Sequence, residues 1–260
     1  MIVLRWRFGS MLLAACLALA AAPAAEADPP LRIVFADNLA PLSFEEDGRP
    51  SGLFVDLVRE AIGKRLGKPV ETLTFPWARA QQMVMHGEAD GFVSVATKAR
   101  LDFTACGSVP ALHVPLQSII RKDDPRRPIF EAARSLEALK SYKVISYRGN
   151  GWAKQYLAGF DVFYASDFDS SLRGLARGRG DLSVITMASR NYFLHLPEFA
   201  QNLTTLPVAV GDLHYYLCIA DTSPYQPLLP VFDRAVKSLR SDGTYRKILA
   251  KYGLDTKDFH

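Results

Sequence analysis

Long apolar runs, histidine and cysteine are all scarce in this sequence, and each scarcity excludes something. After residue 27 no stretch approaches the roughly 18 consecutive apolar residues of a membrane-crossing helix. The chain has five histidines and three cysteines, Cys16, Cys106 and Cys218. No histidine stands at ligand spacing to the two later cysteines, so no tetrahedral metal site is written in the chain, and no cofactor is expected. Gly-x-Ser-x-Gly, His-Glu-x-x-His and the P-loop are absent, which removes common signatures of hydrolases, zinc proteases and nucleotide-phosphate binders. The formal charge is only +4, and the basic residues are dispersed rather than interleaved with aromatics. Nucleic acid is therefore not an expected partner. What remains, 260 residues with 49% hydrophobic and 22% charged, is a composition that can build one or two cores.

The N-terminus reads as a secretory signal peptide, residues 1–27. Arg5 and Arg7 form a basic region, Phe8 to Ala22 is almost wholly apolar, and Ala25-Glu26-Ala27 is a small-x-small cleavage site. The chain that follows is expected to be soluble and periplasmic, and to act as a monomer. Leu13-Ala14-Ala15-Cys16 offers an alternative, lipid attachment at Cys16, although the apolar run continues past that cysteine. Export permits a disulfide between Cys106 and Cys218; two buried free thiols are the other possibility.

Strand and helix patterns alternate. Leu31 to Phe35, Val70 to Phe75 and Gly91 to Val95 read as strands; Phe54 to Leu66 and Trp77 to His86 read as amphipathic helices ended by Gly67 and Gly87. The pattern restarts with a short helix at Leu136 to Lys140. Strands follow at Lys143 to Tyr147, Val162 to Tyr164 and Leu182 to Thr186, with helices at Trp152 to Leu157 and Ser170 to Ala176 between them. Two β-α-β-α-β units predict two mainly parallel sheets flanked by helices. Val114 to Arg121 and His214 to Ala220 bracket the second unit as crossing strands, and helices at Leu228 to Leu239 and Tyr245 to Tyr252 close the chain. The predicted fold is α/β and two-lobed: 28–116 plus 215–260 form lobe 1, and 117–214 form lobe 2, with the crossing strands as hinge. Ligands of open α/β sheets bind outside the carboxyl ends of the strands, so both lobes would line one cleft.

Ordered motifs run through both units. They are Asp37 with Pro41-Leu42-Ser43-Phe44; Gly52-Leu53-Phe54-Val55-Asp56-Leu57; Gly87-Glu88-Ala89-Asp90-Gly91; and Thr97-Lys98-Ala99-Arg100 with Asp102-Phe103-Thr104. Arg148-Gly149-Asn150-Gly151, Gly178-Arg179-Gly180-Asp181 and Asp242-Gly243-Thr244-Tyr245-Arg246-Lys247-Ile248 complete the set. In this order they resemble the bacterial extracellular solute-binding proteins of family 3, the periplasmic components of polar amino-acid ABC transporters. The resemblance implies a type II periplasmic-binding fold, a small-molecule carboxylate ligand and a membrane permease as partner.

It also implies site residues. Arg100 matches the arginine that grips the ligand carboxylate, a task suited to a guanidinium's two parallel hydrogen bonds; the alternative is a surface arginine pairing with Asp102. Ser94 and Thr97 leave the same strand end, where each hydroxyl either contacts ligand or caps the loop. The stretch before Arg100 is two residues shorter than the family's. Trp77 matches an aromatic that stacks on the ligand, with core packing as the alternative. Gly149, Asn150 and Gly151 stand where the family has Gly-Thr-Thr, at a helix start whose free N–H groups attract anions. Thr186 replaces the aspartate that pairs with the ligand ammonium, and Leu42 replaces a common phenylalanine. Asp37 remains as an ammonium partner for an amino acid, and other small carboxylates are open. No catalytic residue is assigned: His113 and His214 read as structural. The expected function is capture of a small polar carboxylate, an amino acid or amino-acid-like compound before others, for delivery to an ABC transporter permease; a stand-alone sensor domain and a dehydratase-like enzyme on the same scaffold are the rivals.

Overall fold

The structure, a computed structural model, describes residues 29–255. The expected signal peptide and Cys16 lie outside the described residues. No helix among the described residues is long and apolar enough to cross a membrane.

Strand β1 (Leu31–Ala36) runs into a small antiparallel sheet of β2 (Asn38–Leu39), β3 (Ser43–Glu46) and β4 (Arg49–Ser51). Helix α1 (Leu53–Val58) widens into a π-helical stretch at Arg59–Arg65 and leads to β5 (Val70–Phe75). Helix α2 (Trp77–Met85), β6 (Gly91–Val95), the one-turn α3 (Lys98–Leu101) and β7 (Thr104–Cys106) complete the first unit. The chain then crosses in β8 (Leu112–Arg121). The second unit holds α4 (Arg127–Ala132), β9 (Val144–Tyr147), α5 (Gly151–Tyr156), β10 (Val162–Ala165), α6 (Phe168–Ala176) and β11 (Leu182–Thr186). After α7 (Met187–Phe193) and α8 (Pro197–Ala200) the chain returns in β12 (Leu203–Ala220) and ends in α9 (Leu229–Ser241) and α10 (Thr244–Lys251).

The sheet order is β10-β9-β11-β8-β12-β6-β1-β5, with β7 beside β12. β5, β1 and β6 are parallel on one side of the crossing pair, and β10, β9 and β11 are parallel on the other. β8 and β12 are antiparallel to each other, and each is antiparallel to the strand group it borders, β8 to β11 and β12 to β6. The result is the expected α/β architecture, but the two predicted parallel sheets are joined by the crossing pair into one continuous nine-stranded sheet. β1 is buried on both faces, as a central parallel strand must be when helices cover the sheet.

β12 departs from the sequence reading. Its 18 residues begin at Leu203, not His214. Pro207 and Gly211 obscured the early part, because proline lacks a ladder N–H and glycine packs nothing. The strand absorbs them as irregularities, with register shifts between Thr205 and Ala209 and between Ala209 and Gly211. Cys106 and Cys218 sit directly opposite each other on β7 and β12 and form a disulfide, which decides that question against free thiols.

His113 and His214 face each other across the crossing pair. Their rings stack 4.3 Å apart at 6°, and Asp212 lies 3.4 Å from His113 Nε2. Tyr216 also stacks with His214, at 6.4 Å and 21°. Desolvation, and then the neighbouring His113, hold the His214 pKa below its ordinary 6.5, with Asp212 opposing. A histidine whose folded pKa is lowered binds fewer protons than in the unfolded chain. Its contribution to stability is therefore whole above pH 6.5 and is lost as pH falls through the lowered value. We expect the melting temperature to drop between pH 7 and 5 and His214→Gln to flatten that drop; thermal unfolding across pH checks it. Since His214 is exposed, the effect is small.

Candidate ligand-binding site

Arg100 is the unusual side chain of this fold. The one-turn helix after β6 turns it inward, leaving it only 4% exposed. It does not pair with Asp102, which is exposed. Its Nη1 donates to Val95 O at 2.9 Å, its Nε to Gln81 Oε1 at 3.1 Å, and its Nη2 to Gly149 O at 3.4 Å. The guanidinium lies over the Trp77 ring, 5.3 Å from its centroid. No carboxylate among the described residues pairs with it. Burial lowers its pKa to about 10, offset in part by Tyr147 and Tyr215. The same burial raises the Tyr147 hydroxyl to about 12 and the Tyr215 hydroxyl further still. At neutral pH the site therefore holds one buried positive charge and two neutral phenols.

The two units close on this charge. Gly149 O, from the turn before α5, accepts from both Arg100 Nη2 and Gln81 Nε2, the latter at 3.2 Å. Lys98 N donates to Gln155 Oε1 at 2.9 Å. The fit is tight at both glycines: a Cβ on Gly151 would stand 3.0 Å from Arg100 Nη2, and one on Gly149 3.1 Å from Trp77 Cδ1. Gly149 also has φ +82°, a conformation that favours glycine.

A cavity of about 50 Å³ lies beside Arg100 on its inner side. Its polar lining includes Arg100, Ser43, Ser94, Asn150, Thr186 and Ser189. Aromatic walls come from Phe54, Trp77, Tyr147, Trp152, Phe168 and Tyr215. On the outer side a larger opening of about 560 Å³ is lined by Thr97, Gly149, Gly151, Arg148 and Lys154 together with Arg100. The residues singled out from sequence thus divide. Trp77, Ser94 and Thr186 line the inner cavity; Thr97, Gly149 and Gly151 line the outer one; Arg100 and Asn150 line both. Asp37 lines neither: it follows the lining residue Ala36, and its carboxylate senses Glu45 and Asp167. Desolvation and those two acids raise its pKa, against its own backbone hydrogen bond.

Several of these side chains already have structural work. Asn150 caps α5, accepting from Ala153 N at 3.1 Å and donating to Ser146 Oγ at 3.1 Å. Thr186 caps α7, accepting from Ser189 N at 3.0 Å and donating to Ser189 Oγ at 2.9 Å. Thr97 Oγ1, by contrast, is buried with no partner among the described residues. Gln81, Tyr147 and Tyr215 were not read from the sequence. Gln81 follows Trp77 by one helical turn and so shares its face. Tyr147 ends β9, where the carboxyl-end rule already pointed.

The family of bacterial extracellular solute-binding proteins, family 3, matches residues 31–255. The chain belongs to this family. Among curated proteins none matches the sequence. Solved structures resemble it over nearly their whole length. A histidine kinase sensor domain with similarity to periplasmic binding proteins is 25% identical with TM-score 0.73, covering 86% of this chain and 95% of that one. The arginine-, lysine-, histidine-binding protein ArtJ from Geobacillus stearothermophilus is 16% identical with TM-score 0.71, covering 86% and 95%. An ancestral amino-acid-binding protein, a precursor of cyclohexadienyl dehydratase, is 21% identical with TM-score 0.68, covering 86% and 95%. This family-3 protein thus has the fold of amino-acid-binding proteins.

Proposed function

We propose that this solute-binding protein captures a small carboxylate in the cleft between lobe 1 (28–116 plus 215–260) and lobe 2 (117–214), and delivers it to an ABC transporter permease in the periplasm. The observation that carries the reading is the buried, charged Arg100 without a counter-ion. A buried guanidinium costs free energy until an anion joins it, and a carboxylate offers two parallel acceptors. Thr97 Oγ1, buried and unpartnered near the same guanidinium, offers a further donor. Ligand contacts to Arg100 on one side and to the Gly149–Gly151 turn on the other favour the closed arrangement, and closure is what a permease can read.

The 25%-identical sensor domain supports a second reading, in which the same capture signals to a separate receptor. The inner cavity favours binding over catalysis. Among the described residues its lining holds neither a carboxylate nor a histidine, the usual acids and bases. A thermal-shift screen over amino acids, hydroxy acids, oxo acids, dicarboxylates, opines, sugars and polyamines tests the capture step. Carboxylates are expected to raise the melting temperature by mass action. A shift from sugars or polyamines alone would overturn the arginine-centred reading.

A further inference from the structure

The charge balance of the inner cavity says more about its ligand, and this step rests on the carboxylate reading above. Arg100 is the single ionised group in the lining. Every other polar lining group is neutral: serine and threonine hydroxyls, the Asn150 amide and two phenols held protonated by burial. The two acids that Asp37 senses are engaged elsewhere. Asp167 caps α6, accepting from Ser170 N at 2.7 Å, and Glu45 accepts from Thr74 Oγ1 at 3.2 Å. Asp37 is not part of the lining, and its carboxyl group senses those two acids. Thr186 presents no charge, and its hydroxyl is committed to Ser189.

A monoanionic ligand brings the buried charge to zero. A zwitterion brings the same carboxylate plus an ammonium, and leaves one positive charge among neutral hydroxyls and aromatic walls. A buried ammonium without a compensating acid is strongly disfavoured. The neutral hydroxyls of Ser43, Ser94 and Ser189 suit an oxygen substituent beside the carboxylate, since each can donate or accept. The aromatic walls suit a short apolar tail. We propose that the ligand is a small organic monocarboxylate without an ammonium group, of the 2-hydroxy-acid or 2-oxo-acid class.

Matched series test this directly: alanine, lactate and pyruvate; valine, 2-hydroxy-3-methylbutanoate and 2-oxo-3-methylbutanoate; phenylalanine, phenyllactate and phenylpyruvate. Calorimetric titration of the full chain should give at least one nitrogen-free acid about 100-fold tighter affinity than its amino-acid counterpart. An amino acid that binds as tightly as its matched hydroxy and oxo acids overturns the inference and leaves the carboxylate reading standing. Failure of all three classes, with sugars or polyamines binding instead, sinks the carboxylate reading itself. Thr186→Asp supplies the missing acid while keeping a residue that caps α7 well. It should move the preference at least about tenfold towards the amino acid of the best-bound series. An unchanged preference in a folded Thr186→Asp protein counts against the charge-balance argument.

Discussion

Arg100→Met is expected to abolish carboxylate binding and yet leave the ligand-free protein as stable as the parent or more so. Both outcomes follow from one fact, a guanidinium buried without an acid. Burial brings its pKa from 12.5 down to about 10. That shift corresponds to about 3 kcal/mol of disfavour for the charged form. Methionine fills similar space and carries no charge, and replacing a buried charge by a packed apolar side chain is often stabilising. The acceptors left behind keep other donors: Thr97 N still reaches Val95 O at 2.9 Å, and Gln81 Nε2 still reaches Gly149 O. Gln81 Oε1 loses its arginine but is only half-buried, so water can replace it. The melting temperature without ligand should stay level or rise by roughly 2–6 °C. Affinity for any carboxylate should fall by at least about 100-fold, the loss that follows from removing one member of a buried charge pair. Thermal unfolding and calorimetric titration of the same preparation read both. A variant that melts well below the parent while still binding would show that the guanidinium serves the fold.

That separation of stability from binding was only partly legible in the sequence. The long elements were readable because their apolar periodicity matches a buried face: β1, β5, β6, α2, α6 and α9 fall within a residue or two of where spacing puts them. The start of β12 was not, because Pro207 and Gly211 interrupt the alternation that a strand normally shows. β2, β3 and β4 span two to four residues each, too short for any period to register. At the site, Thr-x-x-Arg marked the position of Arg100 but not its burial, since Lys98 and Asp102 on either side are exposed and charged. Gln81 carries no local signature at all. Its importance comes from reaching Gly149 across 68 residues of sequence, a relation that only the closed fold creates. Asp37 shows the opposite case. Its neighbours Phe35 and Ala36 both line the cavity, but Asp37 itself does not, and its carboxyl group senses Glu45 and Asp167.

The narrow gap between the two units makes Gly151→Ala the sharper probe of closure. Its added Cβ would stand 3.0 Å from Arg100 Nη2, 3.1 Å from Cζ and 3.4 Å from Thr97 Oγ1. The guanidinium cannot swing aside freely, because Val95 O, Gln81 and the Trp77 face already hold it. Within its own unit the substitution is benign. Gly151 opens α5 without a positive φ, and alanine is the better helix former. The expected result is ligand-free stability equal to the parent, with binding weakened about tenfold to hundredfold as overpacking forces the units apart. Gly149→Ala supplies the contrast. Its Cβ would meet Trp77, Gln81 and the Ala78 backbone, and its φ of +82° is strained for any side chain. That variant should therefore lose stability as well as affinity. Small-angle scattering with saturating ligand distinguishes the mechanisms. Parent protein should stay compact, and Gly151→Ala should stay expanded at ligand concentrations that saturate the parent. If Gly151→Ala binds and compacts like the parent, the turn before α5 does not press on Arg100 in the bound state, and closure must be driven from another part of the cleft.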